Sequence, residues 1–179
     1  ALEAVIDDEV GAIMLEVIQG EGGVNQVTPE FAQAISDICL ANGILLIIDE
    51  VQTGISRTGT RYAYEQTVLK PDIMTLAKGL GGGFPIGAML GTADLHDSLG
   101  PGTHGTTVGG NPLAVAVAQT VLDNVFVPDF IAEVNKKSAY FIEKLSETLP
   151  SHKVVGSGLL LGIVCEEEVA SYITTADEA

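Results

Sequence analysis

Lys78 stands between an apolar run and a glycine cluster, in LAKGLGGG (76–83), in a chain with only 8 Lys and Arg residues. Two acidic sites close other apolar runs: Glu16 ends GAIMLE and Asp49-Glu50 ends ILLIIDE. Each charge follows a short apolar segment bounded by loop residues, the pattern of a buried strand. In an open α/β sheet, ligands bind outside the carboxyl ends of the strands. An acid, an acid pair and a lysine are therefore expected to converge on one crevice. A lysine at the rim of an apolar layer loses part of its preference for the charged form, and its neutral amine can form a Schiff base with an aldehyde. Pyridoxal phosphate is the usual aldehyde, and a carboxylate partner keeps its ring nitrogen protonated. Asp49 is the candidate carboxylate. THGTTVGGNP (103–112) offers hydroxyls and backbone amides just ahead of a helix start, which is what a phosphate group needs. Each piece also has a plain structural reading: a charge after a strand is ordinarily a solvated loop residue, and a Gly-rich turn serves any tight connection.

The elements that must position these residues follow from the same string. Strands are expected over 11–17, 44–50, 71–77 and 85–92. Thr28 followed by Pro29 reads as a helix start, with Phe31, Ile35, Ile38 and Cys39 on one face and Asn42-Gly43 as the stop. QGEGGVNQV (19–27) reads as a loop and 61–66 as a short helix. The first three strands are joined through helical or long segments, which predicts a mostly parallel sheet with helices on both faces. The turn after Lys78 is too short for a crossover, so the fourth strand is expected to run antiparallel to the third. Asn111-Pro112 opens a helix to about Val125. Pro128 to Leu149 forms another, with apolar residues at 134, 141, 145 and 149. HKVVGSGLLLGIVCEEE reads as two short strands around a Gly-Ser-Gly turn. Residues 1–126 are thus expected to belong to one α/β domain and 127–179 to begin a smaller α+β domain.

Composition narrows the function. Apolar residues make up 46% and charged residues 18%, with a net charge of −16. That content supports a sizeable core and is not a disordered composition. The acidic balance argues against nucleic acid or an anionic membrane as partner. Cys39 and Cys165 have no metal-type spacing and read as small buried hydrophobes. No stretch reaches the ~20 apolar residues of a membrane span and no signal peptide is visible, so the cytoplasm is the default expectation.

With these residues placed, the sequence resembles a class III (ω-) aminotransferase of the pyridoxal-phosphate-dependent fold type I. The matching stretches are LEVIQGEGG, LLIIDEVQTGISRTG, PDIMTLAKGLGGGFPIGAML and GTHGTTVGGNPLA, in the family's order and spacing. The resemblance covers 10–125 and weakens after about 150. It implies the large pyridoxal-phosphate-binding domain up to 126 and the start of a small C-terminal domain. It implies Lys78 as the Schiff-base lysine that also shuttles the substrate proton. By the same resemblance Asp49 pairs with the pyridine nitrogen, Val51 packs on the ring face and Gln52 bonds the phenolic oxygen. Thr107 would reach the phosphate of the neighbouring subunit's cofactor, which implies a homodimer. Glu21 would neutralise a substrate-binding arginine when glutamate is absent, and Glu16 would support the ring. The implied reaction is ping-pong transfer of the amino group of N-acetylornithine to 2-oxoglutarate. The alternatives are ornithine, succinylornithine or another ω-amino donor, or a non-catalytic truncated relative.

Some positions depart from the family pattern: Val17 for proline, Ser56 for glycine, Thr106 for serine and Val155 for arginine. The first three leave the chemistry alone, while Val155 bears on how the small domain docks. Family members run far longer on both sides, so the chain is expected to be a fragment carrying about half a site and inactive by itself.

Two other chemistries match parts of the string. ILLIIDE fits the strand-then-acid pattern of nucleotide hydrolases, but that needs a G-x-x-x-x-G-K-[ST] loop, and Lys78 is followed by Gly79 with no glycines in the required place. A metal site through Glu16, Asp49, Glu50 and His104 lacks the histidine spacing of known sites. His104 reads as structural or cofactor-adjacent, and His96 and His152 as surface residues.

Overall fold

Capping chemistry and branched apolar runs set the elements of the chain, whose computed structural model describes residues 2–165. In chain order these are β1 (Ala12–Leu15), β2 (Ile18–Gln19), β3 (Asn25–Gln26), α1 (Pro29–Asn42), β4 (Leu45–Asp49), β5 (Ile73–Leu76) and β6 (Ala88–Gly91). They are followed by α2 (Pro112–Val125), α3 (Pro128–Thr148), β7 (Lys153–Ser157) and β8 (Leu160–Val164). Thr28 caps α1 by accepting from the Phe31 amide, Pro29 occupies the first turn, and Gly43 ends the helix in the left-handed region. Asn111 caps α2 in the same way through the Ala114 amide. Short 3-10 turns cover Ala63–Gln66 and Lys78–Gly81.

The main sheet has the order β1-β4-β5-β6. β1, β4 and β5 run parallel, and β6 returns antiparallel to β5, as the short turn after Lys78 requires. β7 and β8 form a separate antiparallel pair. The segment read as a loop at 19–27 contains a small hairpin, with Ile18 opposite Gln26.

Side chains alternate across a strand. Leu46, Ile48, Met74 and Leu76 therefore share one face, and all are buried. α1 covers this face through Ala32, Ile35 and Cys39, and α2 through Ala118 beside Met74, Leu76 and Leu80. Each fully buried aliphatic side chain contributes about 1.5–3 kcal/mol. The opposite face carries Met14, Ile47, Asp49, Ile73, Thr75 and Met89. Met14 and Met89 are 57% and 54% exposed, so among the described residues helices cover one face of the sheet and the other is open.

Three details of the core differ from the sequence reading. On α1 the buried stripe is Ala32, Ile35 and Cys39, while Phe31 is 48% exposed. On α3 the stripe runs through Val134 and Ser138, and Phe141 points outward. In both helices an aromatic residue stands at the exposed edge of the apolar face, while the small residues Ala32 and Ser138 fill the buried stripe beside Ile35, Cys39 and Val134. Cys39 is buried as expected, but Cys165 is exposed.

Candidate active site

Adjacent strands deliver the chemistry. β4 ends at Asp49 and its neighbour β5 ends at Leu76, two residues before Lys78. Asp49 is half-buried, and its Oδ1 accepts from the Val51 amide at 2.8 Å. That bond folds the chain sharply after β4. Lys78 opens the 3-10 turn and is exposed, not sunk into the apolar rim that its neighbours suggest. It makes no ion pair or hydrogen bond among the described residues.

A cavity of about 310 Å³ lies beside it, lined by Lys78, Gly79, Gln52, Arg57 and the Leu159–Leu160 turn, among others. Two of the chain's 8 cationic side chains thus belong to residues at one cavity, and no carboxylate residue lines it. In a chain of net charge −16, that is a local concentration of positive charge, the kind that attracts an anionic group.

Gln52 is seated by a glycine. A Cβ on Gly20 would fall 1.9 Å from Gln52 Oε1, so only glycine lets the carboxamide lie across that backbone. The Gly20 amide in turn donates to Glu16 Oε2 at 3.4 Å. Glu16 thereby anchors the loop on which Gln52 rests.

Backbone strain concentrates around the same cavity. Ile55, Ser56 and Lys78 have φ values of 56°, 63° and 40°, a region that costs non-glycine residues about 1–3 kcal/mol each. The surroundings hold them there. A Cβ on Gly79 would lie 3.2 Å from the Ile55 Cβ, so the two turns press together. The Ser56 hydroxyl donates to the Val125 carbonyl at 2.7 Å, tying the loop to the end of α2. Tyr62 adds an edge-on contact with Phe126, with ring centroids 5.5 Å apart.

Glu50 does not join this crevice. It turns to the helix-covered side and is 1% exposed, where Oε1 accepts from the Tyr64 amide at 2.9 Å and Oε2 accepts from the Thr53 hydroxyl. It fastens the end of β4 to the loop that follows. Burial pushes its carboxyl above the ordinary 4.5, against the Thr53 hydroxyl and the Tyr64 and Ala63 amides, which pull it down. A carboxyl raised by folding contributes stability that is complete below the unfolded value and is lost as pH rises through the folded one. Glu50→Gln keeps the shape and removes the titration. The variant is expected to lose less stability than the parent between pH 4.5 and neutrality, as read by thermal melts across that range. Equal slopes would show that Glu50 titrates like a solvated carboxyl.

The family model for Aminotransferase class-III matches residues 1–179. The chain belongs to the class-III aminotransferase family. An acetylornithine aminotransferase from Halalkalibacterium halodurans is 54% identical over 155 residues, covering 87% of this chain and 40% of the relative. One from Bacillus cereus is 50% identical over 177 residues, covering 97% and 46%. Among solved structures, an ornithine aminotransferase from Toxoplasma gondii matches at TM-score 0.87 and 37% identity, over 98% of this chain and 44% of that one. An acetylornithine aminotransferase from Elizabethkingia anophelis matches at 0.84 and 39% identity, over 96% and 46%. The chain spans less than half the length of these relatives.

In this class-III aminotransferase chain, the fold brings together part of the residue set read from the sequence. Lys78 and Gln52 line one cavity, and Asp49 and Val51 share a hydrogen bond at the neighbouring strand end. Glu16 reaches the site through Gly20. Glu21 is exposed in the turn between β2 and β3, and Thr107 is exposed in the loop before α2, outside the lining of the Lys78 cavity. Glu50 is the one strand-end acid that the fold removes to the interior. Sequence reasoning passed over Arg57 and Thr75, and noted Ser56 in place of the family's glycine without reading from it the left-handed backbone of the Ile55-Ser56 turn. Thr75 left a visible signal: a hydroxyl residue inside the apolar run PDIMTLA, in register with Asp49.

Proposed function

We propose that this chain forms part of a pyridoxal-phosphate-dependent aminotransferase that moves the amino group of N-acetylornithine to 2-oxoglutarate. The observation that carries the reading is the pair of adjacent parallel strands that end at Asp49 and just before Lys78, with Lys78 and Gln52 lining one cavity that also holds Arg57. The relatives named acetylornithine aminotransferase, at 54% and 50% identity, support the choice of donor.

The donor set fits the cofactor. Lys78 supplies a primary amine with no competing partner among the described residues. Asp49 has one oxygen engaged, and its other oxygen accepts no bond among the described residues. Gln52 lies across a glycine that leaves room for its carboxamide. Thr75 leaves a buried hydroxyl unpartnered beside Asp49. When bound, the cofactor supplies an electron sink for negative charge on the donor's reacting carbon. Lys78 Nζ would hold the cofactor's aldehyde carbon and take and return the substrate proton. Asp49 would keep the ring nitrogen protonated, Gln52 would donate to the ring hydroxyl, and Val51 would fill one ring face. Arg57 and Lys78 give the cavity the charge that suits carboxylate substrates.

Thr107 is proposed to serve the cofactor of a neighbouring subunit, in keeping with its place outside the Lys78 cavity. Glu21 is proposed to gate a substrate-binding arginine and Glu16 to support the ring through the Gly20 loop. A homodimer, a cytoplasmic setting and a domain division near 126–127 belong to the same proposal. So does an active unit of the relatives' length.

The test is amino-group transfer by such a relative-length protein containing this chain. With 2-oxoglutarate as acceptor, glutamate formation is expected to be fastest from acetylornithine. Ornithine must be assayed in parallel, because a solved ornithine aminotransferase matches this fold at TM-score 0.87. A larger kcat/KM for ornithine would reassign the donor. No transfer from either donor, with no uptake of pyridoxal phosphate, would sink the reading.

A further inference from the structure

We propose that Thr75 is the positioning residue for the Asp49 carboxylate, an inference that rests on the cofactor reading above. Thr75 Oγ1 is a buried side-chain atom with no hydrogen-bond partner among the described residues. A buried hydroxyl left unpaired costs about 1–3 kcal/mol, and valine has the same shape without that cost. Such groups call for an explanation in function or in an ordered water.

The register supplies the functional one. Thr75 lies directly opposite Asp49 on the neighbouring strand, so the two side chains share a face, on strands about 4.8 Å apart. The Thr75 backbone is locked to the same spot, since its carbonyl accepts from the Glu50 amide at 3.0 Å. Asp49 is fastened at one oxygen only, Oδ1, by the Val51 amide. A carboxylate held on one side can swing. One that must meet a protonated ring nitrogen is better served by a second donor, and a bond to a charged carboxylate is among the stronger kinds. That bond also favours the ionised form of the acid, which is the form that keeps a proton on the ring. On this proposal the bond forms by rotation about the Thr75 side-chain torsion between staggered wells, the sheet register already holding the two residues opposite each other.

A purely structural Thr75 and a positioning Thr75 are separated by cofactor affinity and its pH midpoint in Thr75→Val, not by melting temperature. The experiment compares wild type, Thr75→Val and Thr75→Ser in a relative-length protein. It measures the apo melting temperature, the Kd for pyridoxal phosphate by titration of visible absorbance, and the pH dependence of that absorbance. Thr75→Val is expected to melt no lower than wild type, to bind the cofactor about tenfold more weakly, and to shift the pH midpoint of the bound band. Thr75→Ser, which keeps the donor, is expected to restore affinity and midpoint. Wild-type affinity and midpoint in Thr75→Val overturn the proposal, whether its melting temperature rises, as for a functionless orphan, or falls, as for a hydroxyl serving a buried water. Thr75→Ala carries the same comparison if valine prevents folding. A wild type that binds no pyridoxal phosphate brings down the cofactor reading first, and this inference with it.

Discussion

Lys78→Ala is expected to reduce amino-group transfer by at least about a thousandfold in a relative-length protein, with almost no change in the stability of the cofactor-free form. The two halves have separate causes. Lys78 is exposed and bonds to nothing among the described residues, so its removal takes no packing from the core, and surface changes of this kind stay within about 0.5 kcal/mol. The strained backbone at φ 40° is as costly for alanine as for lysine. On the proposed role the chemistry would lose both an attachment point and the group that moves the substrate proton, and positioned acid–base catalysis alone is worth about 10²–10⁴. Lys78→Arg is the informative companion. It keeps a cation at the cavity but supplies no neutral amine, so it is expected to be as inactive as alanine. The check is steady-state transfer together with visible absorbance after adding pyridoxal phosphate. Undiminished turnover in either variant would remove Lys78 from the mechanism.

Much of this arrangement was legible in the string, for physical reasons. Ile44 to Asp49 is a run too apolar for anything but a buried strand, and Ile48 is indeed wholly enclosed. Thr28-Pro29 and Asn111-Pro112 fix two helix starts through local chemistry that needs no tertiary context. The antiparallel return of β6 followed from turn length alone. Once the strands were parallel and adjacent, the placing of Asp49 and Lys78 at one edge was a consequence of topology.

The rest depends on contacts between distant residues, which periodicity does not encode. Asp49 and Glu50 are equal as letters. Alternation sends one to the open face and the other beneath the helices, where Tyr64 and Thr53 wait for it. Ser56 at a left-handed position carries its meaning only when the Val125 carbonyl, far along the chain, is brought within 2.7 Å. The short β2–β3 hairpin is too brief to leave a pattern. The open face of the sheet, with Met14 and Met89 exposed, could not be read from strands whose composition suits burial on both sides.

Asp49→Ala separates the holding of the cofactor from its use. On the proposed role Asp49 is expected to matter for rate because an anion at that point would keep the ring nitrogen charged, and that charge would draw electrons from the donor's reacting carbon. Losing it is expected to lower kcat/KM by about a hundredfold or more, near 3 kcal/mol of transition-state stabilisation. Lys78 is untouched, so the visible band of bound cofactor should persist at saturating concentrations. Stability should fall by only about 1 kcal/mol, the worth of one hydrogen bond to the Val51 amide. Asp49→Asn sharpens the comparison. Its amide can still cap Val51 through oxygen, yet it carries no charge, so stability should recover while turnover stays low. Turnover that recovers with asparagine would mean the carboxylate acts by shaping the loop, and the ring-nitrogen role would be wrong. Set beside Lys78→Ala, which is expected to lose the band and the rate together, a variant that keeps the band and loses the rate would show that β4 and β5 deliver two different functions to one site.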